Sequence, residues 1–432
     1  MNQALFDYIV ACPTAYHATA HTASLLTNAG YTQLHEHKEW TLEAGRGYFV
    51  TRNGSSIIAF RAPASKDFSG FMMTAAHGDS PCFKIKENAE MSDGRHLRLS
   101  VERYGGMICP SWLDRPLSIA GRVTVRTETG LNTRLVDLGE PCAIIPNVAI
   151  HMRNSNNGLN YDPATDMIPL FGSASDAGML RRRISEILSI SSEDILTTDL
   201  FVYCPEAGVE WNGFISVPRL DDLQCAFASL TAFLDAEGAE AAPNAVPVFC
   251  LFDNEEVGSQ TKQGAASTFL YDTLTRLCEG MGLTASDMTR KLASSFLVSC
   301  DNAHAVHPNH PQFRDGNHAV YMNEGIVIKY NANQKYTTDG ISAAIFGLMC
   351  EKAGVPVQRY ANRADMPGGS TLGNIANTQV SLNTIDIGLP QLAMHSAYET
   401  AGAKDTALMV KALTRFFSSV IVAEEDGGYS VV

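Results

Sequence analysis

The chain has 432 residues, of which 45% are hydrophobic and 18% charged, with a formal net charge of -14. That length suits roughly two to three domains, and that balance excludes bulk disorder. An acidic field of this size also excludes nucleic acid as a main partner, and any acidic substrate must be met by a specific Lys, Arg or His that overrules the field locally.

No apolar stretch approaches the ~18 residues of a membrane helix, and Met1 to Ala20 lacks the basic flank and apolar block of a leader. Ten cysteines with no C-x-x-C spacing read as buried thiols of a reducing compartment. A cytoplasmic protein is therefore expected.

Apolar spacing predicts helices over Ala4 to Cys12 and Ala15 to Asn28, then strands over Gly47 to Arg52, Ser56 to Arg61 and Phe71 to Ala76. From about Leu97 to Glu210 the texture changes to short β-like runs broken by Asn/Gly/Pro-rich pieces such as Arg153 to Tyr161. Helix and strand patterns then alternate: Leu223 to Leu234 helix, Val246 to Phe252 strand, Phe296 to Cys300 strand, Ile326 to Lys329 strand, Ile341 to Cys350 helix, Val380 to Ile385 strand and Ala407 to Val420 helix. The expected fold is α/β, a mixed central sheet flanked by helices, built from residues 1–92 plus 213–432, with a β-rich domain inserted at residues 93–212.

In open α/β sheets, ligands gather beyond the carboxyl ends of the strands. Phe71 to Ala76 runs into His77-Gly78-Asp79, Val246 to Phe252 into Asp253-Asn254-Glu255-Glu256, and Phe296 to Cys300 into Asp301. A fourth, shorter run, Leu392 to Met394, ends in His395, and Asp221 stands at the start of the helix that follows Pro218-Arg219-Leu220. Singly, each has a plain structural reading: Asp221 or Asp222 as a helix cap, His77 as a bonded core histidine, Glu255-Glu256 as a solvated pair. Their shared position after buried runs is what caps and surface acids have no reason to show. Oxygen and imidazole donors of this kind suit zinc, manganese or cobalt.

Other patterns are poorer. Gly368-Gly369-Ser370-Thr371 lacks a phosphate-binding lysine. His304, His307 and His310 are spaced for one helix face, but Pro308 and Pro311 oppose a helix there. Cys300 reads as a packed thiol and Arg181 to Arg183 as a solvated helix face.

Taken together, Ala75 to Pro81, Pro218 to Asp221, Asp253 to Ser259, Asp301 to His307, Met394-His395-Ser396 and Ile145 to His151 resemble the aspartyl aminopeptidase family, most closely its bacterial branch, over essentially the whole chain. The resemblance implies two divalent metal ions per subunit, zinc with manganese or cobalt as alternatives. Asp221 would bridge them, His77 and Asp301 completing one site and Glu256 and His395 the other. It makes Glu255 the general base and places Asp79 behind His77. It offers His304 and Lys329 as receivers of an acidic first side chain, Lys329 ending the apolar run Ile326 to Ile328 and so expected to emerge at a strand end, and His151 as a donor reaching a neighbouring subunit's active site. Peptides with a free N-terminus would be the substrates. Self-association into a homododecamer, built from dimers through the inserted domain, would be obligatory, with neither nucleic acid nor membrane as partner. Gly78 and the stretch between His310 and Gly325 depart from the eukaryotic pattern, which touches the substrate pocket rather than the ligands. Two other readings use the same residues: another two-metal hydrolase, such as an acyl-amino-acid deacylase or phosphoesterase, and a non-catalytic assembly protein.

Overall fold

The structure, a computed structural model, describes residues 1–152, 160–238 and 244–432. Most of the loop expected over Arg153 to Tyr161, and part of Ala236 to Ala245, lie outside the described residues. Among the described residues no helix is long and apolar enough to cross a membrane.

A nine-stranded mixed sheet runs through the molecule in the order Thr32–Leu34, Gly47–Arg52, Ser56–Arg61, Val246–Phe252, Phe71–His77, Phe296–Cys300, Asn383–Gly388, Ile326–Tyr330 and Val357–Ala361. Four neighbours, Val246–Phe252, Phe71–His77, Phe296–Cys300 and Asn383–Gly388, are mutually parallel. Each of the first three is buried along its whole length, as expected for strands covered on both faces. One face packs on helices Asn2–Ala11, Ala15–Asn28, Leu220–Asp235, Gly340–Ala353 and Asp405–Phe417, through residues such as Phe233, Phe249 and Phe416. The other packs on helices Phe269–Gly280 and Ala285–Ala293 through Phe71, Phe252 and Leu274. The expected α/β class, a mixed sheet between helices, is what the chain adopts.

A second, six-stranded sheet has the order Gly130–Asp137, Ser118–Thr127, Ile195–Tyr203, Cys82–Ser92, His96–Tyr104 and Leu170–Ser173. It has its own core around Phe83, Trp112, Val123 and Leu200. Cys82–Ser92, placed before the expected boundary at residue 93, pairs along His96–Tyr104, so the second sheet starts within five residues of His77. A small third sheet joins Val209–Trp211, Phe214–Val217, Glu399–Gly402, Pro390–Leu392 and Ala303–His304.

Two expected placements differ. Ile326–Tyr330 is antiparallel to Asn383–Gly388, with Ile328 opposite Ile387. Lys329 therefore sits level with the strand interior, not at the carboxyl edge, because apolar periodicity carries no strand direction. His395 follows a strand of the third sheet, not of the central one.

Close contact between strands fixes the floor of the site. The Asp301 N–H donates to the Ile387 carbonyl at 3.0 Å, and a Cβ at Gly388 would lie 2.0 Å from the Asp301 carbonyl oxygen. Backbone cannot yield as a flexible side chain does. Gly388→Ala is expected to cost about 1–3 kcal/mol in urea unfolding and to lower activity by displacing Asp301; a variant of wild-type stability would show that the two strands part freely.

Candidate metal centre

Three strand ends and one helix start converge. His77, the last residue of Phe71–His77, is 1% exposed and its N–H donates to Asp222 Oδ2 at 3.1 Å. Asp301 follows Phe296–Cys300 directly. After Val246–Phe252 the chain turns through Asn254, whose φ of 62° is a left-handed conformation that Asn tolerates better than most residues. The Asn254 side chain is fixed there, its Oδ1 accepting from Thr261 and Gln263 and its Nδ2 donating to the Tyr104 hydroxyl. Asp221 opens helix Leu220–Asp235 with non-helical dihedrals, so its side chain leaves the helix axis.

The donor atoms meet around Asp221. Its Oδ1 lies 3.5 Å from His77 Nε2 and its Oδ2 lies 3.3 Å from His395 Nε2, which is itself 3.4 Å from Glu256 Oε2. Two donor clusters thus share this carboxylate: His77, Asp221, Asp222 and Asp301 form one, and Asp221, Glu256 and His395 the other. Glu255 groups with His77 and Glu256. His77, Asp221, Glu255, Glu256, Asp301, His304, Lys329 and His395 all line one cleft of about 340 Å³.

Electrostatically the cluster is overloaded with negative charge. Burial, reinforced by neighbouring carboxylates, pushes Glu255 up to about 8 and Asp301 up to about 6, and holds Asp222 and Glu256 well above the carboxylate range. Burial opposes the charge of His77, yet Asp221, Asp222 and Asp79 hold its proton affinity well above the ordinary value. Asp221 Oδ1, Asp222 Oδ1 and Glu256 Oε1 are buried with no hydrogen-bond partner. Orphaned carboxylate oxygens beside imidazole nitrogens form a donor set that divalent cations fit, since cations supply the charge and the partners the protein lacks.

The surrounding bonds position this set. Asp79 stands behind His77, with its main-chain carbonyl 3.0 Å from His77 Nδ1 and its carboxylate 3.4 Å away. Either acceptor would leave Nε2 free to face Asp221, which lies 3.5 Å away. The Asp79 carboxylate accepts from the Glu255 N–H at 3.2 Å, the Glu256 N–H at 3.1 Å and the Tyr104 hydroxyl at 2.7 Å. It therefore fixes the turn that presents both glutamates.

Two contributors carry no signal in the sequence. Glu399, 2% exposed, accepts the His395 N–H at 2.7 Å and the Asp221 N–H at 3.1 Å, tying two donors from distant segments to one carboxylate. Tyr104 comes from the second sheet. Asp222, weighed only as a helix cap, is fully buried against His77.

The remaining candidates are placed unevenly. Lys329 is 2% exposed, and its ammonium donates to the carbonyls of Asp301 and Asn302 at 2.9 and 3.1 Å, with Asp301 Oδ2 at 3.7 Å. His304 is exposed and meets Tyr360 edge-on. His151 is exposed in the short turn Ile150–Met152 and does not line the cleft. His304, His307 and His310 form no metal-holding group among the described residues.

Known proteins agree in fold and sequence along almost the whole chain. A family model described as aminopeptidase I zinc metalloprotease (M18) matches residues 8–417. A probable M18 family aminopeptidase 2 of Pseudomonas aeruginosa is 42% identical over 431 residues, covering 97% of this chain and 98% of that protein. A cryo-EM structure of the Ape4 and Nbr1 complex contains a chain with TM-score 0.92 and 35% identity, the match covering 96% of this chain and 85% of that one. The S. cerevisiae mApe1 dodecamer superposes with TM-score 0.83 at 27% identity, covering 96% of this chain and 95% of that one.

Proposed function

The chain belongs to the aminopeptidase I zinc metalloprotease (M18) family, and from that premise we propose that it removes acidic residues, Asp or Glu, from the N-termini of peptides, with Glu255 as general base. The observation that carries the dinuclear part of this reading is Asp221, whose two oxygens face His77 and His395 from two donor clusters. Asp221 would be shared by two cations, His77 and Asp301 completing one coordination set and Glu256 and His395 the other. When bound, the cations supply a water of lowered proton affinity and positive charge beside the scissile carbonyl.

This chain's residues do the rest. Glu255, held by Asp79 at its N–H, takes a proton at its carboxylate and returns it to the departing amine. The acidic wall of the cleft suits the substrate's free α-amino group, which confines cleavage to the first residue. Lys329 keeps one N–H beyond its two carbonyl bonds and is the cation of the cleft that suits an acidic first side chain; His304, whose proton affinity desolvation in the cleft and Lys329 hold below the ordinary value, would meet that side chain as a neutral ring. His151 would act in trans, donating to the carbonyl oxygen in a neighbouring subunit. Its exposure beside exposed Val148, Ile150 and Met152 is in keeping with a covered edge in an assembly. That assembly would be a homododecamer of dimers joined through the inserted domain, in the cytoplasm.

The test is metal analysis, expected to give two zinc ions per chain, combined with peptides that differ only in their first residue. Lys329→Ala is expected to lower kcat/KM for Asp- and Glu-initial peptides by about tenfold or more beyond the loss for Ala-initial ones, the scale of a hydrogen bond to a charged group. Equal losses for both would leave Lys329 only as the anchor of the Asp301 and Asn302 carbonyls.

A further inference from the structure

A second cavity of about 350 Å³ adjoins the catalytic cleft, the two sharing His304, Tyr360 and Gly369. None of His77, Asp221, Glu255, Glu256, Asp301 or His395 lines it, so what it holds is not the bond being broken. Its wall is rich in basic side chains in a chain of net charge -14, with two guanidinium groups, Arg314 and Arg363, and three imidazoles, His307, His310 and His318, against a single acid, Asp315.

The charges are not evenly matched. Arg363 is paired with Asp365 at 2.7 Å, and Asp315 Oδ1 is occupied by His318 Nδ1 at 2.8 Å and the Asn317 N–H at 2.9 Å. Arg314 has no carboxylate within ion-pair distance among the described residues. Its Nη1 reaches only the Asp315 and Gly316 carbonyls, at 3.4 and 3.3 Å, and its buried Nε has no partner. His307 accepts the Asn309 N–H on Nδ1 at 3.2 Å, which puts the ring proton on Nε2. His310 Nδ1 meets the Gln312 side-chain amide nitrogen at 3.3 Å and is fixed in the same tautomer. Both rings therefore offer an N–H without needing a positive charge. A guanidinium with unused donors, lining one cavity with two such N–H groups, matches a carboxylate better than any neutral group.

We propose that this annex binds an acidic side chain of the leaving peptide, downstream of the residue removed, with Arg314 as the specificity-determining contact and His307 and His310 beside it. The inference rests on the aminopeptidase reading above, because the annex gains its ligand by continuity with that cleft. The substrate class is then a peptide with an acid at the second or third position.

The experiment uses the zinc-loaded enzyme and peptides with one fixed first residue, carrying Glu or Gln at position two or three. The ratio of kcat/KM for Glu over Gln, taken within one preparation, cancels the amount of folded, loaded protein. Wild type is expected to favour Glu by about tenfold at one of these positions, Arg314→Gln to bring the ratio close to one, and Arg314→Lys to restore part of it. A wild-type ratio near one at both positions, or a ratio that Arg314→Gln leaves unchanged, overturns the proposal. So does a loss of discrimination at the first residue alone, which would assign Arg314 to that residue. Failure of wild type to cleave any of the peptides would instead overturn the aminopeptidase reading, and this inference with it.

Discussion

Glu255→Gln is expected to keep two zinc ions per chain while kcat falls by about 10²–10⁴, the range that a positioned acid or base contributes. Glu255 and Glu256 leave the same turn, with their N–H groups on the same Asp79 carboxylate, yet their side chains meet different surroundings. Glu256 Oε2 lies 3.4 Å from His395 Nε2, whereas no imidazole lies within ion-pair distance of Glu255 among the described residues. The amide of Gln preserves volume and most contacts but cannot accept and return a proton. KM should stay within a few-fold, because the interaction removed is made in the transition state. Two measurements decide between roles. Retained zinc with lost turnover makes Glu255 the base; loss of an ion with the substitution makes it a ligand; a rate within a few-fold of wild type removes it from the chemistry.

The donors nearest the sheet were legible because three strands are buried from end to end. Phe71–His77, Val246–Phe252 and Phe296–Cys300 carry runs that are apolar but for Thr74 and Ser299, and a run that stops at His77, Asp253 or Asp301 has reached an edge of the sheet. Asp221 was legible as a helix start, and the fact that its dihedrals depart from the helix was not. What eluded reading depends on pairing rather than on local pattern. The antiparallel direction of Ile326–Tyr330 turns Lys329 from a strand-end group into one that reaches back to two carbonyls, and no periodicity encodes that direction. Cys82–Ser92 alternates only over its first residues, where the burial pattern switches between covered and half-covered positions, so its membership of the second sheet lay hidden. Glu399 stands in a short strand with one buried carboxylate and becomes informative only once His395 and Asp221 are seen on either side of it. Arg314 likewise is one cation among many until its lack of a carboxylate partner is visible in space.

Asp221→Asn is expected to abolish both zinc sites and reduce turnover to background, a larger loss than at any other single donor. The reason is the sharing: Asp221 belongs to both donor clusters, and its two oxygens stand 3.5 and 3.3 Å from the two histidines. An amide keeps one weakly donating oxygen and places an NH₂ group where the second negative oxygen stood. Two cations held close together with no anion between them repel, so loss of the shared charge should weaken both together. His395→Ala, by contrast, removes a donor from one cluster only and is expected to leave about one ion bound. Zinc content by mass spectrometry of the folded protein separates the two patterns, and thermal unfolding gives a second readout. Zinc at about a hundred times its dissociation constant stabilises the native state by about 2.7 kcal/mol, so wild-type unfolding should shift upward when zinc is added to metal-free protein, and Asp221→Asn should show no shift at the same concentration. If Asp221→Asn retains one full equivalent of zinc and the corresponding shift, Asp221 serves a single ion and the dinuclear reading fails, whatever becomes of the activity.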